Sequence, residues 1–251
     1  MYPRSTYPKH YMARMTPFRI IGNVYFVGNY LASAHLVDTG DGLILLDTGY
    51  ADTLHLLVES VWELGFNPRD IKYIIHSHWH GDHTAATEAM AALCGAKTVI
   101  SRVDAPYLAP NGYFTPDILL EDGDVLTLGN TSIRCMLTPG HTIGTMSFFF
   151  DTTENGTTYR VGTFGGAGVN TLVPTAKSFY ADCRRDYLNS IDKLLKEPVD
   201  VFIGNHCWNN DTRGKGELLK LGASNPFIDS EEWVRFLNFC RERCLGLPPV
   251  E

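Results

Sequence analysis

The chain has 251 residues, of which 44% are hydrophobic and 20% are charged, so it can bury a sizeable core. Its formal net charge of −7 argues against a general nucleic-acid binder and against a protein that binds acidic membranes. No apolar run reaches the roughly 18 residues that a membrane-spanning helix needs. These features favour a soluble globular protein.

The length fits a single α/β domain over residues 1–251, with residues 1–17 as a loose, polar N-terminal arm. This arm lacks the apolar centre of a secretory signal. We therefore expect a cytoplasmic protein, or a periplasmic or secreted one if an export signal has been removed. The six cysteines are scattered and form no Cys-x-x-Cys pair, which predicts free thiols.

In chain order, short apolar stretches bounded by turn residues predict strands. They cover residues 18–26, 34–37, 42–46, 71–75, 97–101, 126–128, 132–137, 146–150, 158–162 and 199–203. Helical spacing of apolar residues predicts helices at 52–64, 82–93, 181–195 and 230–244. This order favours two halves, each a sheet with helices outside, and the two sheets packed face to face.

Residues 76–83 stand out because they contain four of the nine histidines and one aspartate. A solvated polar loop is the alternative for such a cluster. Neutral imidazoles and a carboxylate are, however, typical ligands of zinc and other divalent transition metals. Further histidines, His141 and His206, also follow apolar strands. Because strand ends at one edge of a layered fold converge, we expect these side chains to meet.

Two groups of three ligands can be formed from these residues: His78, His80 and His141 for a first metal, and Asp82, His83 and His206 for a second. Three protein ligands plus solvent are typical of a catalytic zinc site. Asp82 could also orient the attacking water or accept its proton. Asp47 follows the strand at 42–46 and could either cap a loop or orient a metal-binding histidine.

Four other residues are interpreted with both a functional and a structural alternative. His76 is predicted to be a packed or supporting group rather than a ligand. Trp79 and Trp208 flank ligands, and either could line a substrate cleft or pack beneath it. Tyr113 lies in the loop at 106–116, which could cover the site or pack on the surface.

The motif His-Trp-His-Gly-Asp-His at 78–83 resembles that of the metallo-β-lactamase superfamily. Three further motifs carry the resemblance: Asp-Thr-Gly at 47–49, Pro-Gly-His-Thr at 139–142 and Gly-Asn-His at 204–206. It covers residues 18–245 and implies an αββα four-layer sandwich with a dinuclear zinc site at one edge. The motif match implies two Zn²⁺ ions per chain, held by the two groups of ligands given above.

Within the superfamily, the chain is most similar to the third zinc subclass (B3) of metallo-β-lactamases. Its Asp82-His83 pair stands without a cysteine ligand, and the segment 224–229 resembles that subclass. The loop at 162–170 has neither the ligand cysteine of the first subclass nor the bridging aspartate of glyoxalase-type hydrolases. That loop also lacks serines that would grip a drug's carboxylate, and Asn170 and Thr171 are the candidates to replace them.

The resemblance implies a dinuclear zinc hydrolase in which a hydroxide held by the metals attacks a carbonyl, that of a β-lactam. A lactone or ester hydrolase with little β-lactamase activity is the enzymatic alternative, and a metal-binding scaffold protein is the non-enzymatic one. The acidic chain disfavours a phosphodiesterase or ribonuclease. A thioester hydrolase of glutathione adducts is disfavoured because 45 residues follow His206, too few for that family's helical substrate domain. We expect a small-molecule substrate and neither a nucleic-acid nor a membrane partner; the oligomeric state is left open.

Overall fold

The computed structural model describes residues 9–10 and 13–250, which build two β-sheets with helices around them. Of the predicted N-terminal arm, residues 1–8 and 11–12 lie outside the described residues. None of the helices in the described part of the chain is long and apolar enough to cross a lipid bilayer.

The first sheet contains seven strands in sequence order. They are β1 (Phe18–Ile21), β2 (Val24–Phe26), β3 (His35–Asp38), β4 (Leu43–Leu46), β5 (Ile71–Ile75), β6 (Lys97–Ser101) and β7 (Ile118–Leu120). The pairs from β1 to β4 are antiparallel, and the pairs from β4 to β7 are parallel. Helix α1 (Leu54–Glu63) connects β4 to β5, and α2 (Gly81–Thr84) and α3 (Thr87–Cys94) connect β5 to β6, because parallel neighbours need a crossover connection.

The second sheet has the order β12-β11-β10-β9-β8. Its strands are β8 (Val125–Leu128), β9 (Thr131–Leu137), β10 (Met146–Glu154), β11 (Thr157–Thr163) and β12 (Val201–Phe202). Only the pair β11 and β12 is parallel among these described strands. Three further helices complete the chain: α4 (Cys183–Leu194), α5 (Thr212–Lys220) and α6 (Glu232–Leu245).

Successive side chains of a strand point to opposite faces of its sheet, so each sheet packs against the other sheet on one face and against helices on the other. Ile44 of β4 lies in the core between the sheets, together with Phe148 and Phe150 of β10. Their neighbours face outward: Leu45 packs against α1 and α3, and Phe149 packs against α4 and α6. Each fully buried side chain of this size contributes about 1.5–3 kcal/mol. The layers therefore run helix, sheet, sheet, helix, which confirms the predicted αββα class.

The structure differs from the sequence prediction in four elements. The predicted strand at 18–26 is divided into β1 and β2, which pair with each other across a turn at Gly22, where φ is 49°. The predicted helix at 82–93 is divided into α2 and α3, where the backbone N–H of Ala86 bonds to the carbonyl of Gly49 (3.3 Å). Strand β7 was not predicted, since three residues carry little periodicity. Helix α5 was not predicted because its two glycines have low helix propensity. Asp211 caps the start of this helix, and its carboxylate accepts the N–H of Gly214 (3.2 Å).

The strand directions bring several loops to one edge of the sandwich. The carboxyl ends of β4, β5 and β6 share an edge because these strands are parallel. Strands β9 and β11 are both antiparallel to β10, so they run in the same direction, as does β12. The predicted metal ligands follow β5, β9 and β12, and Asp47 follows β4.

Candidate metal centre

Two overlapping groups of side chains could hold a metal ion. Nitrogen atoms of His78, His80 and His141 all lie within 4.8 Å of one another. Ligand atoms of His78, Asp82 and His83 form a second group within the same distance. The structure thus brings together five of the six ligands expected from the sequence, with His78 common to both groups.

His206, the sixth expected ligand, reaches the cluster through Asp82. One carboxylate oxygen of Asp82, Oδ2, lies 3.6 Å from Nε2 of His206 and 3.4 Å from Nε2 of His83. His206 lies in the loop after β12, and Asp82 and His83 lie in helix α2. The three residues predicted for the second metal therefore surround one carboxylate.

Hydrogen bonds from outside the cluster orient four of its five histidines. Each uses Nδ1 for such a bond, at 2.7–3.1 Å: His78 with Ser77 Oγ, His83 with Asp47 Oδ2, His141 with Gly168 O, and His206 with Leu31 O. A carbonyl or carboxylate oxygen can only accept, so Nδ1 carries the proton in the last three. The Ser77 hydroxyl donates to Asp47 (2.7 Å), so its oxygen is free to accept from His78. In the neutral form this leaves the lone pair on Nε2, which faces the cluster.

His80 is oriented in the opposite way. Its Nδ1 lies 3.1 Å from Nε2 of His141, and its Nε2 lies 3.2 Å from the hydroxyl of Ser178. The His141 Nε2 carries no proton in the tautomer set by Gly168. If His80 donates its Nε2–H to Ser178, its Nδ1 carries a lone pair that faces the lone pair on Nε2 of His141. A cation between these two nitrogens would stabilise the arrangement.

The residues present fit a divalent metal ion. Nε2 of His78 and Nε2 of His83 are buried and have no hydrogen-bond partner. A buried polar nitrogen without a partner costs about 1–3 kcal/mol, a cost that coordination would remove. Five imidazoles and one carboxylate are a donor set that suits zinc, whereas calcium and magnesium prefer oxygen ligands.

The charges of Asp82 and Asp47 decide the protonation states in the cluster. Burial alone would raise the pKa of Asp82, but the neighbouring His83 and His206 hold it well below its usual range. Burial lowers the pKa of His141 to about 4, so this ring is neutral at pH 7. Burial opposes protonation of His83 as well, yet Asp82 and Asp47 raise its pKa to about 10. In the metal-free chain His83 is therefore protonated, and metal binding must displace that proton.

Asp47 lies directly after β4 and beneath the cluster. Its backbone φ of 59° is in the left-handed region, which aspartate tolerates better than most residues. Besides His83, it accepts hydrogen bonds from the backbone N–H (2.8 Å) and hydroxyl (2.7 Å) of Ser77. Burial would raise the pKa of Asp47, but His83 and His76 hold it well below its usual range. Asp47 is thus placed where an ionised carboxylate can orient a histidine.

His76 belongs to neither group of candidate ligands. It is buried, with Nε2 3.1 Å from the hydroxyl of Thr87 and Nδ1 3.7 Å from the carboxylate of Asp47. These contacts agree with the interpretation of His76 as a packed or supporting group.

Of the residues predicted to lie near a substrate, Trp79 and Tyr113 are close to the candidate ligands. Trp79 is buried and stacks on Tyr107, with the ring centroids 5.5 Å apart. Tyr113 is half-buried, and its hydroxyl lies so close to Gly81 that any side chain there would collide with it. Asn170, by contrast, is exposed at the end of the glycine-rich loop.

Trp208 differs from Trp79 in its exposure, which the sequence could not decide. It is 54% exposed, and its ring stacks on His206 with centroids 4.4 Å apart and an interplanar angle of 10°. One face of Trp208 therefore covers a candidate ligand, and much of the remaining ring is open to solvent.

The glycine-rich loop after β11 packs closely around His141. A Cβ atom on Gly166 would lie 2.6 Å from Cβ of His141, and one on Gly168 would lie 3.0 Å from its ring. Both glycines are needed for this approach, which also brings the Gly168 carbonyl to Nδ1 of His141 (2.7 Å). The loop is therefore closely packed against His141.

Two residues near the site were not singled out from the sequence. Ser178 lies in a loop without any motif, and the neighbouring sequence does not predict its contact with His80. Asp104 follows β6 as Asp47 follows β4, so its position at a strand end was an available signal. It is buried, and burial raises its pKa to about 6 although three hydrogen bonds lower it.

Comparisons with known proteins agree with this architecture. A family model described as the metallo-beta-lactamase superfamily matches residues 27–206. The native FEZ-1 metallo-beta-lactamase from Legionella gormanii has a TM-score of 0.88 and 28% identity, covering 95% of this chain and 97% of that one. The class B3 di-zinc metallo-beta-lactamase LRA-12 from an Alaskan soil metagenome has a TM-score of 0.84 and 25% identity, covering 95% and 96%.

Curated sequences match over shorter stretches. A hydroxyacylglutathione hydrolase of Cereibacter sphaeroides is 30% identical over 122 residues, which are 49% of this chain and 43% of that protein. The chain thus spans less than half the length of the first curated relatives it matches. The full-length structural neighbours confirm the resemblance to the B3 enzymes, and the family match over most of the chain shows that it belongs to the metallo-β-lactamase superfamily.

Proposed function

We propose that the chain is a zinc-dependent hydrolase that binds two metal ions and opens the ring of β-lactams. The observation that carries this proposal is the match to FEZ-1 over nearly the whole of both chains, combined with the cluster of five histidines and Asp82 at one sheet edge. The di-zinc neighbour LRA-12 supports the number of metal ions.

His78, His80 and His141 would hold the first ion, and Asp82, His83 and His206 the second. Zinc bound there would supply Lewis acidity, which lowers the pKa of water towards about 7 and polarises a carbonyl oxygen. The ionised carboxylate of Asp82 can orient the attacking water and accept its proton. The exposed face of Trp208 and the side chains of Tyr113 and Asn170 are candidates to contact the substrate.

The test combines metal analysis with turnover of a chromogenic cephalosporin. We expect about two zinc ions per chain and turnover that a chelator abolishes. His141→Ala should lose turnover, whereas His55→Ala, an exposed histidine on α1, should keep it. If zinc-loaded protein turns over no penicillin, cephalosporin or carbapenem, the β-lactam substrate is refuted while a different hydrolase activity stays possible.

A second candidate is hydrolysis of an ester, a lactone or a thioester. The match to a hydroxyacylglutathione hydrolase favours it, as does the lack of serines in the loop at 162–170. A panel of lactones and glutathione thioesters, followed by acid release and by thiol release respectively, would decide between the two candidates. Turnover of a lactone or thioester at least about a hundredfold faster than of any β-lactam would favour the second.

A further inference from the structure

Asp104 connects the two loops that carry the first group of candidate ligands. It is fully buried just after β6. Its Oδ2 accepts hydrogen bonds from the backbone N–H of Trp79 (3.1 Å) and from the hydroxyl of Thr142 (2.7 Å). Its Oδ1 accepts the backbone N–H of Gly144 (2.8 Å). Trp79 stands between His78 and His80, and Thr142 follows His141 directly.

The chemistry of these contacts calls for a carboxylate. Two of the three donors are backbone N–H groups, which cannot reverse their role, and they approach different oxygens of Asp104. An amide in the same place would direct its NH₂ group at one of them, so that two donors would face each other. The third donor, Thr142, also bonds to the hydroxyl of Thr145 (2.8 Å), which extends the connection along the His141 loop.

The packing at Gly144 shows that the loop carrying His141 approaches Asp104 as closely as the backbone allows. A Cβ atom on Gly144 would lie 2.5 Å from both N and Oδ1 of Asp104. Asp104 is held from its own side too, since its N–H donates to the hydroxyl of Ser101 (3.0 Å). The carboxylate is therefore fixed on β6 and sets the distance between two loops of different origin, one after β5 and one after β9.

We propose that Asp104 is a positioning residue for the first metal ion, which aligns His78 and His80 on one loop with His141 on the other. The inference rests on the proposed assignment of these three histidines as ligands. Asp104 contacts neither metal nor substrate in this proposal. It acts through Trp79 and Thr142, so its loss should weaken metal binding at the three-histidine group and spare the group around Asp82.

The first experiment is a zinc titration of purified protein in competition with a colorimetric chelator. In Asp104→Asn we expect one of the two zinc-binding steps to weaken about 10–100-fold, as is usual when a group that orients ligands is changed. The matched control is Asp117→Asn at the other end of β6, where Asp117 also accepts a backbone N–H (2.7 Å) and a hydroxyl (2.8 Å), both from Thr98. Both of its zinc-binding steps should remain within about twofold of the wild type.

A second pair of variants separates positioning from folding and keeps the test valid if Asp104→Asn does not fold. Thr142→Val removes the hydroxyl that bonds to Asp104 and keeps the shape, whereas Thr142→Ser keeps the hydroxyl. We expect Thr142→Val to weaken one zinc-binding step about tenfold and Thr142→Ser to bind as the wild type does. Equal zinc affinities in the two variants would overturn the inference, as would wild-type affinity in folded Asp104→Asn. A wild-type protein that binds no zinc would instead refute the proposed metal centre itself.

Discussion

Replacing Asp47 with asparagine tests how far the cluster depends on a group that is not itself a candidate ligand. Asparagine tolerates the left-handed backbone at this position (φ 59°) as aspartate does, so the exchange leaves the backbone in place. What changes is the hydrogen bonding, because one carboxylate oxygen becomes an NH₂ group.

The expected loss of folding stability follows from the three hydrogen-bond donors around Asp47. Oδ1 accepts the N–H of Ser77, and Oδ2 accepts the hydroxyl of Ser77 and the Nδ1–H of His83. If the NH₂ group takes the Oδ1 position, it opposes a backbone N–H that cannot accept. If it takes the Oδ2 position, it opposes the Nδ1–H of His83, so that His83 can keep a proton only on Nε2, where the lone pair for a metal is needed. Either arrangement loses at least one buried hydrogen bond, which costs about 1–3 kcal/mol. We also expect zinc affinity to fall about 10–100-fold.

The assay compares thermal unfolding of metal-free protein with zinc binding in competition with a chelator. A loss of about 1–3 kcal/mol in the free energy of unfolding corresponds to a melting temperature lower by about 2–12 °C for a chain of this length. Asp38→Asn is the control, because Asp38 is the last residue of β3 in the same sheet but its carboxylate accepts one exposed N–H, that of Gly40 (3.0 Å). Asp38→Asn should change stability by less than about 0.5 kcal/mol. Unchanged zinc affinity in folded Asp47→Asn would refute the reasoning, even if the melting temperature fell.

Three further predictions concern other parts of the molecule. Removing zinc that is present at about 100 times its dissociation constant should lower the free energy of unfolding by about 2.7 kcal/mol per site, and a chelator that leaves the melting temperature unchanged would contradict a metal centre. Trp208→Ala should raise KM several-fold for β-lactams with aromatic side chains while zinc content stays constant, and Trp208→Phe should largely restore it; equal KM values would show that the exposed ring does not contact the substrate. All six cysteines lie in the described part of the chain, and among them only Cys94 is not fully buried. A colorimetric thiol reagent should therefore detect one fast-reacting thiol in native protein and six thiols after unfolding. Cys94→Ser should abolish the fast phase.

The sequence predicted the ligands' common location because that location depends on strand direction. The largely apolar stretch at 71–75 predicts a strand, and the structure places β5 over the same residues, with Ile71, Ile74 and Ile75 buried. Once β5, β9 and β12 are recognised as strands, the loops after them are expected to meet at an edge. No separate signal for each ligand is needed for this step.

The orientation of the ligands could not be predicted in the same way. The partners of His141 and His206 are the carbonyl groups of Gly168 and Leu31, which every residue type possesses. A carbonyl oxygen leaves no mark in the sequence, so the pattern of residues cannot say which ring nitrogen faces the metal. The reversed orientation of His80 likewise depends on Ser178, which is 98 residues away.

The two aspartates below the cluster show how the ligand loop is held without a sheet partner. Beyond the end of β5, backbone N–H groups lose the strand neighbours that would accept from them, and buried N–H groups need an acceptor. On one side Asp47, after β4, accepts from Ser77; on the other Asp104, after β6, accepts from Trp79. His78 lies between Ser77 and Trp79 in the sequence. Each carboxylate also contacts a second part of the site, Asp47 through His83 and Asp104 through Thr142. Asp47 thus holds two points of the connection after β5, and Asp104 joins that connection to the loop after β9. The geometry of the cluster is therefore set by residues that follow the strands on both sides of β5.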